Sequence, residues 1–256
     1  MDLALIDSHC HIDAPEFDAD REAALRRARA AGVVAQVAPA VEAAGWPALR
    51  DLCRTHADLH PAWGLHPMYL SNHRPPHLED LRRWLTMERP VAVGECGLDF
   101  WVPDLDRQAQ MDYFLAQLKL AREFDLPVIL HARRALDEVT AALRRIGGLR
   151  GVVHSFSGSR EQAQALWRLG FHLGIGGPVT YPRASRLRAI VADMPVQWLL
   201  LETDSPDQPP HGGQGRRNEP SRLPLVLQTV AQLRGEDPAV IAAATTGNAR
   251  RLFGLP

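Results

Sequence analysis

The 256 residues carry 29 Lys and Arg against 30 Asp and Glu, a net charge of -1, with 46% hydrophobic and 23% charged residues. This balance is ordinary for a globular chain and excludes the global positive field that drives nonspecific nucleic-acid binding, so a phosphate-bearing substrate would need local positive charge. With no apolar run near the roughly 18 residues of a membrane helix, no basic-then-apolar leader and only three scattered cysteines, Cys10, Cys53 and Cys96, the expectation is a cytoplasmic protein without a membrane partner or a disulfide framework.

In chain order, short β-branched or apolar runs alternate with longer segments of helical apolar period. Strands are expected over 3–9, 33–38, 59–65, 91–95, 127–131, 151–154, 171–175 and 197–202. Helices are expected over 20–31, 78–88, 107–124, 136–146, 160–169 and 186–192, with two more over 220–233 and 238–253. Gly32, Gly147 and Gly170 stand just past three of these helices, where a left-handed cap favours glycine. Continuous apolar runs such as "PVIL" and "QWLLL" read as parallel strands buried on both faces. The fold class is therefore α/β, a (β/α)8 TIM barrel forming one domain over residues 1–256, a length close to the roughly 250 typical of such barrels. A doubly wound open sheet is the alternative, set lower because no Gly-x-Gly-x-x-Gly turn follows the first strand.

Barrel active sites lie at the C-terminal ends of the strands, and these strands stop on metal-binding side chains. Strand one ends in "DSHCHID", where His9 and His11 share a face of extended chain. Strand four ends in Glu95, strand five in His131, strand six in His154, and "LLLETDSP" after strand eight holds Asp204. Taken singly, each could be a core histidine, an arginine partner or a turn cap; six on five strand ends point to one metal site. Four imidazoles and two carboxylates exceed the ligand set of one zinc ion and suit a pair of divalent ions, which needs an anionic bridge. A carbamylated lysine cannot serve, because the only lysine, Lys119, falls inside helix 107–124. Glu95 remains, with one carboxylate oxygen for each ion. Cys96, its neighbour in strand four, should face the helices, and Cys10 is read as structural. His56, His60, His73, His77 and His172 are read as surface residues.

The segments "DSHCHID", "GLHP", "GECGLD", "VILHAR", "VVHSFSGS" and "LLETDSP", in this order along essentially the whole chain, resemble the TatD family of metal-dependent hydrolases. "GGPVTYPRAS" and "GRRNEP" match as well, and "PDQPPHGGQG" is similar to the YjjV branch. The resemblance implies a dinuclear barrel that hydrolyses phosphodiester bonds, with exonuclease-like action on DNA. It assigns His9, His11, Glu95 and Asp204 to one ion and Glu95, His131 and His154 to the other. Cys96 departs from the family, which often has an aliphatic residue there, and Phe100-Trp101 stands where tyrosine is common.

Two ions, whether zinc, manganese or magnesium, would lower the pKa of a shared water and hold hydroxide in line with the electrophile. Glu95 and Asp204 are the expected catalytic carboxylates, Asp204 passing a proton to the leaving group. Asp7 and Glu202 are expected to orient ligand imidazoles. His66, Arg133 and Arg183 are expected to bind substrate, with Arg216 and Arg217 extending a basic rim and Trp101 and Tyr181 placed to stack on bases. The expected partner is DNA or another phosphodiester, acted on by a monomer. Carboxylic-ester or amide hydrolysis, such as aminoacyl-ester deacylation, is the competing enzyme reading, and a metal-binding scaffold without turnover is the third.

Overall fold

A computed structural model describes residues 3–256. Eight parallel strands follow one another in sequence order: β1 (Leu5–Asp7), β2 (Val33–Pro39), β3 (Leu59–Trp63), β4 (Ala92–Asp99), β5 (Val128–Arg133), β6 (Gly151–Val153), β7 (Phe171–Ile175) and β8 (Leu199–Leu201). The first and last strands meet through the Ser8 N–H on the Leu201 carbonyl (3.0 Å) and the Asp204 N–H on the His9 carbonyl (2.9 Å). The architecture is the expected (β/α)8 barrel.

Nine α-helices surround it among the described residues: α1 (Arg21–Ala30), α2 (Trp46–Thr55), α3 (Pro76–Glu88), α4 (Arg107–Glu123), α5 (Leu136–Ile146), α6 (Arg160–Arg168), α7 (Ser185–Asp193), α8 (Leu223–Arg234) and α9 (Pro238–Phe253). Their starts follow local chemistry. Asp106 accepts from the Gln108 and Ala109 N–H groups at α4, and Ser159 and Gln162 form a reciprocal capping box at α6, satisfying amides that have no partner within the helix. Gly147 ends α5 at φ 66, and Gly32 follows α1 at φ 86 with its Cα so close to the Leu3 carbonyl that a Cβ would lie 2.4 Å from the oxygen. Helix α2 was not delimited from the sequence. The segment 220–233 opens with a 3-10 turn, Pro220–Arg222, before α8.

The core has two layers. Inside the barrel, Ile6, Ala35, Val37, Ala62, Ala92, Ile129, Val152 and Leu200 pack with Ala249, Leu252, Phe253 and Leu255. Helix α9 thereby plugs the N-terminal end of the barrel, and Thr246 and Asn248 bond to the carbonyls of Ala4, Val196 and Leu199 there. The larger layer lies between strands and helices and includes Cys10 and Cys96, both fully buried. With one end closed by apolar packing, the polar strand ends occupy the other.

Candidate metal centre

Strand β1 stops at Asp7, two residues before His9. The chain beyond it nevertheless stays between its neighbours, with the Cys10 N–H on the Val37 carbonyl (3.1 Å) and the His11 N–H on the Ser205 carbonyl (2.7 Å). His9 and His11 converge as expected, their Nε2 atoms 3.1 Å apart, but on an extended segment past the strand.

Strand β4 carries an irregularity that decides the site. Val93 pairs with Val128 and Cys96 with Leu130, so three steps on β4 oppose two on β5. Such a bulge re-aims a side chain. Ala92 lies in the barrel interior and Val93 in the outer layer; strict alternation would send Glu95 outward, and the extra residue turns it in while Cys96 rejoins the outer layer. Gly64 on the adjacent segment makes room, since a Cβ there would lie 2.4 Å from the Gly94 carbonyl carbon.

Glu95, 1% exposed, is the hub. Its Oε1 is 2.8 Å from His154 Nε2, 2.9 Å from His66 Nε2 and 3.1 Å from His131 Nδ1. Its Oε2 is 3.1 Å from His9 Nε2 and 3.4 Å from His11 Nε2. Asp204 Oδ1 stands 3.4 Å from His9 Nε2, 3.8 Å from His11 Nε2 and 3.9 Å from His154 Nδ1. The backbone of Asp204 is left-handed, φ 55, a conformation Asp tolerates better than most residues, and Gln208 Nε2 donates to its Oδ2. The six expected ligands are therefore together.

Partners on the far side of two rings set which nitrogen faces the centre. His11 Nδ1 lies 3.2 Å from the Pro39 carbonyl, which only accepts; the neutral ring thus carries its proton there and turns the Nε2 lone pair toward Glu95. His131 Nε2 lies 2.8 Å from Asp99 Oδ2, leaving Nδ1 to face Glu95. His66 is the reverse case. Its Nδ1 accepts the Met68 N–H (3.1 Å), so Nε2 holds the proton and meets Glu95 as a donor.

Burial opposes charge on Glu95, but the imidazole cluster around it, His154 foremost, holds it well below the usual carboxylate range. Burial likewise opposes protonation of His154 and His11, yet Glu95, with Asp204 in support, pushes them up to about 10 and about 9. His9, buried and stacked on His154 with ring centroids 4.0 Å apart, is held well below its ordinary value. Burial takes His66 down to about 4 and raises Asp204, Asp7 to about 7 and Glu202 to about 8.

Asp7 meets no imidazole nitrogen, and Glu202 comes only to 4.0 Å of one. Asp7 accepts from the Thr203 N–H (2.9 Å) and hydroxyl (2.6 Å) and from the His9 N–H (3.3 Å); it ties β1 to β8 through backbone groups. Glu202 Oε1 accepts the Ser155 N–H and stays 4.0 Å from His154 Nδ1, while Oε2 faces Gly174 without a hydrogen-bond partner. The groups that do meet imidazole nitrogens are the Pro39 carbonyl and Asp99; Asp99 was missed because the sequence reading ended strand four at Glu95. Two further misses are Gln110 and Gln117 on α4. Gln110 bonds to both the N–H (2.7 Å) and carbonyl (3.0 Å) of Asp99, and Gln117 to those of Leu65 (2.8 and 3.0 Å). Their seven-residue spacing, two helical turns on one face, was the available signal.

At the rim, Arg133 and Arg183 are exposed. Arg134 and Arg133 lie 3.9 and 5.0 Å from the ring of half-exposed Trp101, and Arg183 lies 5.6 Å from that of Tyr181. Arg217 is no free rim cation: it pairs with Asp20 (2.6 Å) and Glu219 (3.0 Å), anchoring the 205–220 loop to α1. His73, expected at the surface, is buried with Nε2 2.9 Å from the His66 carbonyl.

The donor set fits divalent cations. His9, His154 and Asp204 form one group of converging ligand atoms, His9, His11 and Glu95 another, and His66, Glu95 and His131 a third. Glu95 Oε2, though ringed by imidazole nitrogens, has no hydrogen bond of acceptable direction, and mixed imidazole and carboxylate donors suit zinc, manganese and their neighbours. A parallel barrel with such a cluster at the C-terminal mouth defines a metal-dependent hydrolase. The TatD related DNase family model matches residues 6–254, and the chain belongs to that family. The metal-dependent hydrolase YjjV of Escherichia coli K12 is 44% identical over 260 residues, covering 100% of both chains. Its crystal structure, that of a TatD homologue, matches with a TM-score of 0.95 at 42% identity, again over 100% of both. The 3'-5' ssDNA/RNA exonuclease TatD of Pantoea ananatis is 37% identical over 264 residues, 98% of this chain and 100% of that one. Among the described residues no helix is long and apolar enough to cross a membrane.

Proposed function

We propose that this chain is a phosphodiesterase that removes nucleotides from the end of a DNA strand, working with two divalent ions at the Glu95 cluster as a monomeric, single-domain enzyme of the cytoplasm. The observation that carries the dinuclear reading is the division of labour on Glu95: Oε2 faces His9 and His11 beside Asp204, and Oε1 faces His131, His154 and His66. Bound ions would supply Lewis acidity and a water with a pKa lowered toward neutrality.

The remaining work falls to the chain itself. Asp204, its affinity for a proton raised by burial, takes the proton of the attacking water and returns it to the leaving oxygen. Gln208 fixes that carboxylate and is itself held by the Ser155 hydroxyl (2.7 Å). Arg133 and Arg183 supply to the phosphate the local positive charge that the net charge of -1 withholds, while the single N–H of neutral His66 is already held by Glu95 Oε1. The name of the Pantoea relative, an exonuclease on single-stranded DNA and RNA, supports a nucleic-acid substrate.

The test pairs metal analysis with a substrate screen. Purified protein loaded with manganese should bind two ions per chain and cleave end-labelled DNA in preference to neutral carboxylic esters. Glu95→Ala should lose at least one ion and the cleavage together. Two ions and full activity in the variant would exclude the bridge, and faster ester than DNA hydrolysis by the native protein would exclude the phosphodiester.

A further inference from the structure

We propose that Asp99 is a positioning residue that couples the metal cluster to the substrate rim, each of its carboxylate oxygens serving one of them. The inference rests on the phosphodiesterase reading for its kinetic arm only. Oδ2 lies 2.8 Å from His131 Nε2. Oδ1 accepts the N–H groups of Trp101 (2.9 Å) and Val102 (3.0 Å), closing the turn that presents Trp101 beside Arg133 and Arg134.

The carboxylate is unusually well placed for this. Asp99 is 1% exposed, and Gln110 clamps its backbone on both sides. With Oδ1 accepting two turn amides, the carboxylate meets His131 Nε2 through Oδ2 as an acceptor, so the neutral ring carries its proton on Nε2 and offers the Nδ1 lone pair toward Glu95. One side chain thereby sets a tautomer in the cluster and the shape of a turn at the rim.

Asparagine separates the two tasks. In Asp99→Asn the amide oxygen can still accept from Trp101 and Val102, while the NH2 group meets His131 Nε2 as a donor and drives the ring proton to Nδ1. Removing such a partner of a metal-binding histidine costs about 10- to 100-fold in metal affinity. Manganese titration calorimetry should therefore show at least about a tenfold loss for Asp99→Asn, with KM for a single-stranded oligonucleotide retained at saturating metal. Trp101→Ala should do the opposite: unchanged metal affinity, a raised KM for the oligonucleotide, and an unchanged KM for a small chromogenic phosphodiester.

A readout that needs neither variant nor turnover comes from long-range 1H–15N spectra of the zinc-loaded native protein, where His131 should appear protonated at Nε2. A ring protonated at Nδ1 would overturn the proposal, as would native metal affinity in Asp99→Asn. If the oligonucleotide is not cleaved at all, the phosphodiesterase reading fails while the metal and tautomer measurements still decide the role of Asp99.

Discussion

Glu95 is buried and ionised at once, a state that costs several kcal/mol for an isolated carboxylate unless opposite charge is at hand. Within this chain the nearest available positive charge is a proton on an imidazole, and His11 and His154 hold theirs up to about 9 and about 10. A metal ion must displace those protons, because a ligand nitrogen offers its lone pair only when unprotonated. Below the raised pKa values the metal-free rings are charged, so raising the pH removes the competitor and strengthens binding. Calorimetric titration with manganese between about pH 6 and 8 should show affinity rising up to about tenfold per pH unit for each proton displaced. A flat profile would mean that the rings are already proton-free. The six candidate ligands were legible in the sequence because each interrupts an apolar strand with a group that apolar surroundings do not tolerate unpaired. The contacts of Asp7, Glu202 and Asp99 were not legible, since residue type gives a carboxylate its chemistry but not its partner.

At the scale of elements, the site depends on α4 as much as on the strands. Where β3 ends, Leu65 is buried, and Gln117 supplies its missing acceptor and donor. His66 follows immediately, so this amide clamp also fixes the start of the segment that faces Glu95. Gln117→Leu removes both bonds and leaves two buried backbone groups unpaired, at about 1–3 kcal/mol for each. Denaturant unfolding should record a loss of that size with an unchanged slope, and a variant as stable as the native protein would show that Leu65 finds other partners. Strand β4 makes the complementary point. Its run to Asp99 could have been read from "GECGLD", whose Glu95, Gly97 and Asp99 alternate, but the bulge that turns Glu95 inward could not. A bulge is defined by its pairing with β5, and the register of that pairing is absent from either strand alone.

For the molecule as a whole, closing one end of the barrel is what makes the other a site. Helix α9 seals the N-terminal end, with Phe253 only 4% exposed against the interior side chains of the strands. Phe253→Ala should cost about 3–5 kcal/mol, measured by thermal or denaturant unfolding, while the folded fraction keeps its metal stoichiometry, because the plug and the cluster lie at opposite ends. Loss of metal binding from the fully folded variant would place α9 in the site itself. The 205–220 loop, tied down by Arg217, Asp20 and Glu219, in turn brings Gln208 against Asp204. The alternation of strands and helices, the barrel and the candidate ligand set followed from the sequence alone, because periodicity and polarity are local properties of the chain. The inward turn of Glu95, the proton positions on His11, His66 and His131, and the capture of Arg217 by α1 were decided only in the tertiary structure, because each depends on a partner at least as remote as a neighbouring strand or turn.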